Sequence, residues 1–335
     1  MTHSIKTQAF GSEAQARRGH GEYNRTMKVM KFGGTSVAHA SNINKVIDIV
    51  LESFKGGQNI VIVVSALSGI TDDLIMLANL ASQKDSNYET IFKAICGRHD
   101  QAVVELIDSK NKERVFREIN KKYNELEEII KSIFSGDKLS PSSLDAIVSF
   151  GEQFSSYIIS EGIKSRGVPC EFIDSRAIIK TDDNFGNANV DLEKSYELIS
   201  DCFKAKTLSI MGGFIARAED GRTTTLSRGG SDYTASLVGA ALDASVIEIW
   251  TDVDGIMTED PKKMKDALLI PEISYEKAEE MAYNGAKVIH PKTIRPAVLK
   301  NIPIYVKNTF NPSGSGTKIS NPSSRAKLTT GQVEK

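Results

Sequence analysis

The run Asn59-Ile-Val-Ile-Val-Val-Ser65 constrains this chain more than any other stretch. It is unbroken, apolar and β-branched, the pattern of a strand buried on both faces. Such strands belong to parallel sheets with helices above and below. Upstream, Lys28-Val-Met-Lys-Phe32 reads as another short strand. Between the two, Ser41 is a candidate helix cap. Ile43, Val46, Ile47, Val50, Leu51 and Phe54 then keep the i, i+3, i+4 spacing until Gly56-Gly57. Strand, helix and strand within about 35 residues predict a βαβ unit.

The alternation continues. Residues 87–134 predict helix with charged, solvated faces, and Pro141 opens another helix. Val168–Ile173 predicts a strand, with a polar loop after it through Asn189. Residues 192–203 predict helix, Leu208–Ile215 strand, Tyr233–Leu242 helix and Ser245–Trp250 strand. Helices near 275–285 and 291–300 precede a last strand at Ile302–Val306. The tail from Ser313, rich in Gly, Ser, Lys and Asn, predicts disorder. The class is therefore α/β, with a mostly parallel sheet between helical layers.

Composition narrows the function classes. A net charge of -1 on 335 residues gives no reason to expect nucleic acid or an acidic membrane surface. No apolar run approaches bilayer length. Cys96, Cys170 and Cys202 are scattered, which argues against a disulfide framework or zinc site and fits a reducing cytoplasm. Residues 1–26 are polar and lack an apolar h-region, so they predict a disordered leader or extension, with Met27 a plausible start.

The candidate chemistry lies where strands end. Lys31-Phe-Gly-Gly-Thr-Ser-Val37 places a lysine at a strand end before Gly33 and Gly34, where backbone can approach an anion. Ser65 and Thr71 flank a second turn that opens a helix; ordinary capping explains them equally well. Glu152 interrupts an apolar helical stretch and needs a partner, a function or a solvent-facing position. Leu208-Ser-Ile-Met-Gly-Gly-Phe-Ile215 repeats the strand-to-glycine design. In Arg228-Gly-Gly-Ser-Asp-Tyr-Thr-Ala235, Arg228 can grip a carboxylate. There Gly229, Gly230 and Ser231 can present N–H groups, and Asp232 is either catalytic or a partner of the helix dipole. Thr251 and Asp252 close the next strand. Lys287 faces phosphates or solvent, and His290 reads as a packed loop residue. Neither G-x-x-x-x-G-K-[ST] nor G-x-G-x-x-G after the first strand is present, which excludes a P-loop and argues against a dinucleotide site.

Together these motifs resemble aspartate kinase, within the amino-acid-kinase superfamily, over about residues 27–320. The landmarks are Lys31–Val37, Ser149-Phe-Gly-Glu152, Arg228–Ala235, Thr251-Asp-Val-Asp-Gly255 and Gly285-Ala-Lys-Val-Ile-His-Pro291, in the family's order. The resemblance implies a three-layer αβα sandwich whose N-terminal half holds L-aspartate and whose C-terminal half holds ATP with its Mg²⁺. It implies phosphorylation of the aspartate β-carboxylate, the first step of lysine, threonine and methionine biosynthesis. By position, Ser65, Thr71, Glu152, Arg228, Gly229, Gly230 and Ser231 would form the aspartate pocket. Lys31 and Asp232 would be catalytic. Lys31, Gly33, Gly34, Thr251, Asp252, Met257, Lys262, Lys287 and Val288 would surround the nucleotide.

Two positions depart: the family often has Tyr at Met257 and Arg at Lys262. Met can still pack against a base, and Lys can still meet a phosphate. The family usually carries C-terminal ACT domains, and the sequence stops where the resemblance would place them. The resemblance therefore implies either a kinase-domain fragment, such as the front of a bifunctional aspartokinase–homoserine dehydrogenase, or an unregulated form. Residues 321–335 are then a flexible tail. A homo-oligomer is expected. The alternatives are a glutamate, N-acetylglutamate or UMP kinase, or an idle nucleotide-binding regulatory subunit.

Overall fold

The computed structural model describes residues 27–55, 57–203, 208–259, 266–283 and 291–321. The chain begins with β1 (Met27–Phe32), α1 (Ala40–Lys55), β2 (Asn59–Val64), α2 (Ile70–Ser82), α3 (Tyr88–Leu106), α4 (Ser109–Ser135) and α5 (Pro141–Ser165). It continues through β3 (Cys170–Ile173), α6 (Ser175–Ile178), β4 (Lys180–Thr181), α7 (Leu192–Cys202), β5 (Leu208–Gly212), β6 (Ile215–Ala218) and β7 (Thr223–Thr225). Then follow α8 (Gly230–Ala241), β8 (Val246–Thr251), β9 (Glu272–Ile273), α9 (Tyr275–Tyr283), α10 (Pro291–Leu299), β10 (Ile304–Asn308) and β11 (Thr317–Ile319).

The main sheet has the order β3-β5-β2-β1-β8-β10-β11-β9. Pairings from β3 to β10 are parallel, while β10 and β11 are antiparallel. β2 is buried along its whole length, as its composition predicts. Its residues alternate between two cores. Ile60, Ile62 and Val64 join a core shared with α1 to α5. Val61 and Val63 join one shared with α7, α8 and α10. These two cores make the three-layer αβα sandwich. Among the described residues, no helix is long and apolar enough to cross a membrane.

Sheet order also locates a crevice. From β1 the chain passes to β2 on one side; from β8 it passes to β9 at the far edge and then to β10, both on the other side. The carboxyl ends of β1 and β8 therefore meet where the winding reverses, the position at which open α/β sheets bind ligands.

Several local expectations are corrected. The helix expected over 87–134 is two helices, because Ile107 is extended and the Asp108 carboxylate caps α4 by accepting the Asn111 N–H at 3.0 Å. α8 starts at Gly230 rather than Tyr233, since Gly229 caps it at φ 78°. The polar stretch after β3 contains α6 and β4, and β4 joins β6 and β7 in a small separate sheet. The expected disorder from Ser313 is overturned by β11. Thr317 holds that strand: its Oγ1 accepts the Ile256 N–H at 2.8 Å and donates to the Ile270 carbonyl at 2.6 Å.

Candidate active site

β5, β2, β1 and β8 lie side by side and end at Gly212, Val64, Phe32 and Thr251. The segments after them carry most of the candidate residues. Lys31 sits one residue before the end of β1, in register with Val63 and Ile249. The strand's alternation turns its side chain toward the α8 layer, where Lys31 Nζ lies 2.6 Å from Asp232 Oδ1. Both side chains are nearly buried, at 11% and 13% exposure. A cation and an acid are thus locked together at the mouth of the crevice.

α8 is brought to this position by close backbone approach. The Gly213 N–H donates to the Val64 carbonyl at 2.8 Å. A Cβ on Gly213 would stand 2.6 Å from Ser231 Cα, so only glycine lets the β5 turn meet the helix start. Ser65 Oγ donates to Ser231 Oγ at 3.0 Å, joining the β2 turn to the same helix. Gly229 and Gly69 cap α8 and α2 in the left-handed region, and neither helix has a side-chain cap bond. A helix start without a side-chain cap is suited to holding an anion, although in α2 the Ile70 N–H already donates to the Leu67 carbonyl at 2.9 Å.

Glu152 approaches from α5. It is 3% exposed, and its Oε1 accepts the Ala66 N–H at 3.1 Å. Oε2 is buried and has no hydrogen-bond partner. Burial pushes the carboxyl up to about 8, against the opposing pull of the Ala66 N–H. The helix is held in place locally: Ser155 Oγ donates to the Ser65 carbonyl at 2.8 Å, and Ser156 Oγ donates to the Glu152 carbonyl at 2.5 Å. Of the two readings of Glu152, the solvent-facing one is excluded by this burial.

The structure brings Lys31, Asp232, Ser231, Ser65 and Glu152 into one chain of contacts through the Ser65–Ala66 turn. Gly33 and Gly34 border it. The Gly33 N–H donates to the Trp250 carbonyl at 3.1 Å, and a Cβ on Gly34 would lie 3.2 Å from the Ala66 carbonyl oxygen. Gly230 begins α8, and Arg228 is exposed in the turn before it. Thr71 is half-buried in the first turn of α2.

On the β8 side, Thr251 Oγ1 donates to Asp252 Oδ1 at 3.2 Å, and Asp252 is exposed. Met257 is half-buried and bridges Leu269 in antiparallel fashion. Lys262, Lys287, Val288 and His290 lie outside the described residues. Sequence reasoning missed the Ala66 N–H, Ser155 and Thr234, whose Oγ1 accepts the Phe214 N–H at 3.1 Å. Nothing in a single sequence marks a backbone donor. The hydroxyl-rich Ser155-Ser156 pair in an apolar helix was the available signal.

Comparison with known proteins adds to this geometry. The model described as the amino acid kinase family matches residues 26–308. Lysine-sensitive aspartokinase 3 of Escherichia coli (strain K12) is 39% identical over 303 residues, covering 88% of this chain and 64% of its own. Bifunctional aspartokinase/homoserine dehydrogenase 1, chloroplastic, of Zea mays is 34% identical over 295 residues, covering 87% of this chain and 32% of its own. The chain thus spans about a third of the length of that bifunctional relative. Among solved structures, E. coli aspartokinase III in complex with aspartate and ADP superposes with a TM-score of 0.81 at 36% identity, covering 89% of this chain and 65% of that one. Carbamate kinase from Giardia lamblia, at 12% identity and a TM-score of 0.56, shows likeness of fold alone.

Proposed function

The chain belongs to the amino acid kinase family, and from that premise we propose that it transfers the γ-phosphoryl of ATP to the β-carboxylate of L-aspartate, giving ADP and 4-phospho-L-aspartate. Glu152 carries the reading. A buried carboxylate oxygen without a partner is costly, and a substrate ammonium would relieve that cost. UMP has no ammonium and N-acetylglutamate has its amine blocked, so Glu152 favours a free α-amino acid. The likeness to an aspartokinase solved with aspartate and ADP supports aspartate over its longer homologue.

In this arrangement Glu152 meets the ammonium and Arg228 closes on a carboxylate from the solvent side. Ser65, Thr71 and the backbone of Gly229, Gly230 and Ser231 line the pocket. Lys31 neutralises the transferring phosphoryl, helped by the free N–H groups that begin α8. Asp232 orients Lys31 through their ion pair. Gly33, Gly34, Thr251, Asp252 and Met257 border the nucleotide; for Lys262, Lys287 and Val288 a nucleotide role rests on the family resemblance alone. The nucleophile needs no general base, because a β-carboxylate with a reference pKa of about 3.9 is ionised at neutral pH. The obstacle is repulsion between two anions. Lys31 and the helix start lower it by fixed charge and position. Mg²⁺ arriving with the nucleotide would supply further neutralisation.

The test is ADP release with MgATP and L-aspartate beside L-glutamate, N-acetylglutamate and UMP. Turnover confined to aspartate is expected. Turnover with another substrate overturns the pocket assignment. ATP binding without turnover on any of the four supports a regulatory module instead.

A further inference from the structure

Asp145 stands two turns before Glu152 on one stripe of α5 and is 3% exposed. Its Oδ2 accepts the Thr225 N–H at 2.7 Å and the Gly186 N–H at 2.9 Å. Its Oδ1 accepts the Thr225 hydroxyl at 2.8 Å. Each contact bridges a long sequence separation, from α5 to the end of β7 and to the loop between β4 and α7. Hydrogen bonds to an ionised carboxylate are the stronger kind, and burial keeps water from competing for them.

Thr225 is held from its other side as well, since its carbonyl accepts the Ala188 N–H at 3.1 Å. The next residue, Leu226, donates its N–H to the Phe214 carbonyl at 2.8 Å. Arg228 follows Thr225 by three residues, a reach of at most about 10 Å. Wherever Thr225 is fixed, the range open to the Arg228 backbone is fixed with it. Arg228 itself is exposed in its turn, held between that root and the start of α8 at Gly230.

We propose that Asp145 is a positioning residue that ties the Arg228 loop to the helix carrying Glu152, so that the two groups reaching opposite ends of the amino-acid substrate keep one separation. The proposal rests on the aspartate reading of the site. It assigns Asp145 no contact with substrate and no part in nucleotide binding. Its loss should therefore act on one substrate and spare the other, which a merely structural tie would not do.

The experiment compares wild type with Asp145→Ala, Asp145→Asn and Thr225→Val by separate KM measurements for aspartate and ATP, with amide hydrogen exchange at Gly186 and Thr225. Asp145→Ala is expected to raise the aspartate KM by about tenfold, the usual scale for losing charge-assisted hydrogen bonds, with the ATP KM within about twofold. Protection of both amides should fall. Asp145→Asn keeps an acceptor for the two N–H groups and can donate to the Thr225 hydroxyl, so it should recover most of the affinity. Thr225→Val removes one hydroxyl bond and covers the case in which Asp145→Ala fails to fold; a smaller shift in the same direction is expected. An unchanged aspartate KM in every folded variant, equal shifts in both KM values, or retained amide protection in Asp145→Ala would overturn the proposal. Wild type that does not turn over aspartate, with protection lost in the variant, overturns the substrate assignment and supports the tie. Wild-type turnover with an unaltered aspartate KM in the variants does the reverse.

Discussion

Replacing Lys31 with alanine is expected to lower turnover by about a hundredfold or more, the usual cost of removing one preorganised charge at a developing anion. The expectation follows from the position of its ammonium group. It lies at the end of β1, where the sheet's winding reverses, nearly buried and 2.6 Å from Asp232. There it is paired with the first turn of α8. The substitution also strands Asp232, and breaking a buried pair from one side costs about 3–5 kcal/mol of stability. A melt must therefore accompany the kinetics. The double variant Lys31→Met with Asp232→Asn separates the effects, because it removes both charges together. It should regain much of the lost stability and none of the turnover. Near-normal turnover in a folded Lys31→Ala chain would remove Lys31 from the chemistry.

Glu152→Gln is expected to raise the aspartate KM by about thirtyfold or more, since a buried charge pair loses one partner on the order of 2 kcal/mol or above. The same residue predicts two pH effects. Its carboxyl is pushed up to about 8 in the folded chain by burial, against a reference value of 4.5. Between those values the folded chain holds a proton that the unfolded chain has lost. The unfolded state binds fewer protons there, so stability falls as pH rises from about 4.5 to about 8, and this group adds no further loss above that. Melts of the substrate-free wild type should show this decline, and Glu152→Gln should lack it. A substrate ammonium selects the ionised form, so aspartate affinity should rise with pH until about 8. Parallel stability curves for the two chains, or an aspartate KM flat from pH 6 to 8 and insensitive to the substitution, would contradict the role given to Glu152.

The layers of the fold were legible because burial writes itself into composition. β2 is apolar throughout as it lies between two helical layers, and α1 shows the spacing of a single buried face. Glu152 could be singled out for a related reason, as a charge in an apolar stretch that disfavours one, whereas Lys31 and Asp232 stood out by their place beside paired glycines at a strand end and a helix start. Their mutual contacts could not be read, because they depend on how α5 and α8 meet the ends of strands distant in sequence. β11 was missed on the same ground. Its short run of Thr317, Lys318 and Ile319 is no strand by periodicity and is fixed by the bonds that Thr317 makes to Ile256 and Ile270. β4, β6 and β7 are likewise too short for alternation to show. Asp145 carried no signal, since an acid near a helix start after Ser140-Pro141 reads as a dipole partner. Its partners Gly186 and Thr225 become visible only once the small sheet is folded against α5.

The most direct test of the central claim is to trap the product. An acyl phosphate reacts with hydroxylamine to give a hydroxamate, whereas a phosphate ester or simple ATP hydrolysis does not. The chain should therefore yield aspartate β-hydroxamate in equal amount to the ADP released, dependent on MgATP and L-aspartate and absent with Lys31→Ala. ADP release without hydroxamate, or hydroxamate formed from a different carboxylate substrate in preference to aspartate, would contradict the assignment of this crevice to aspartyl phosphorylation.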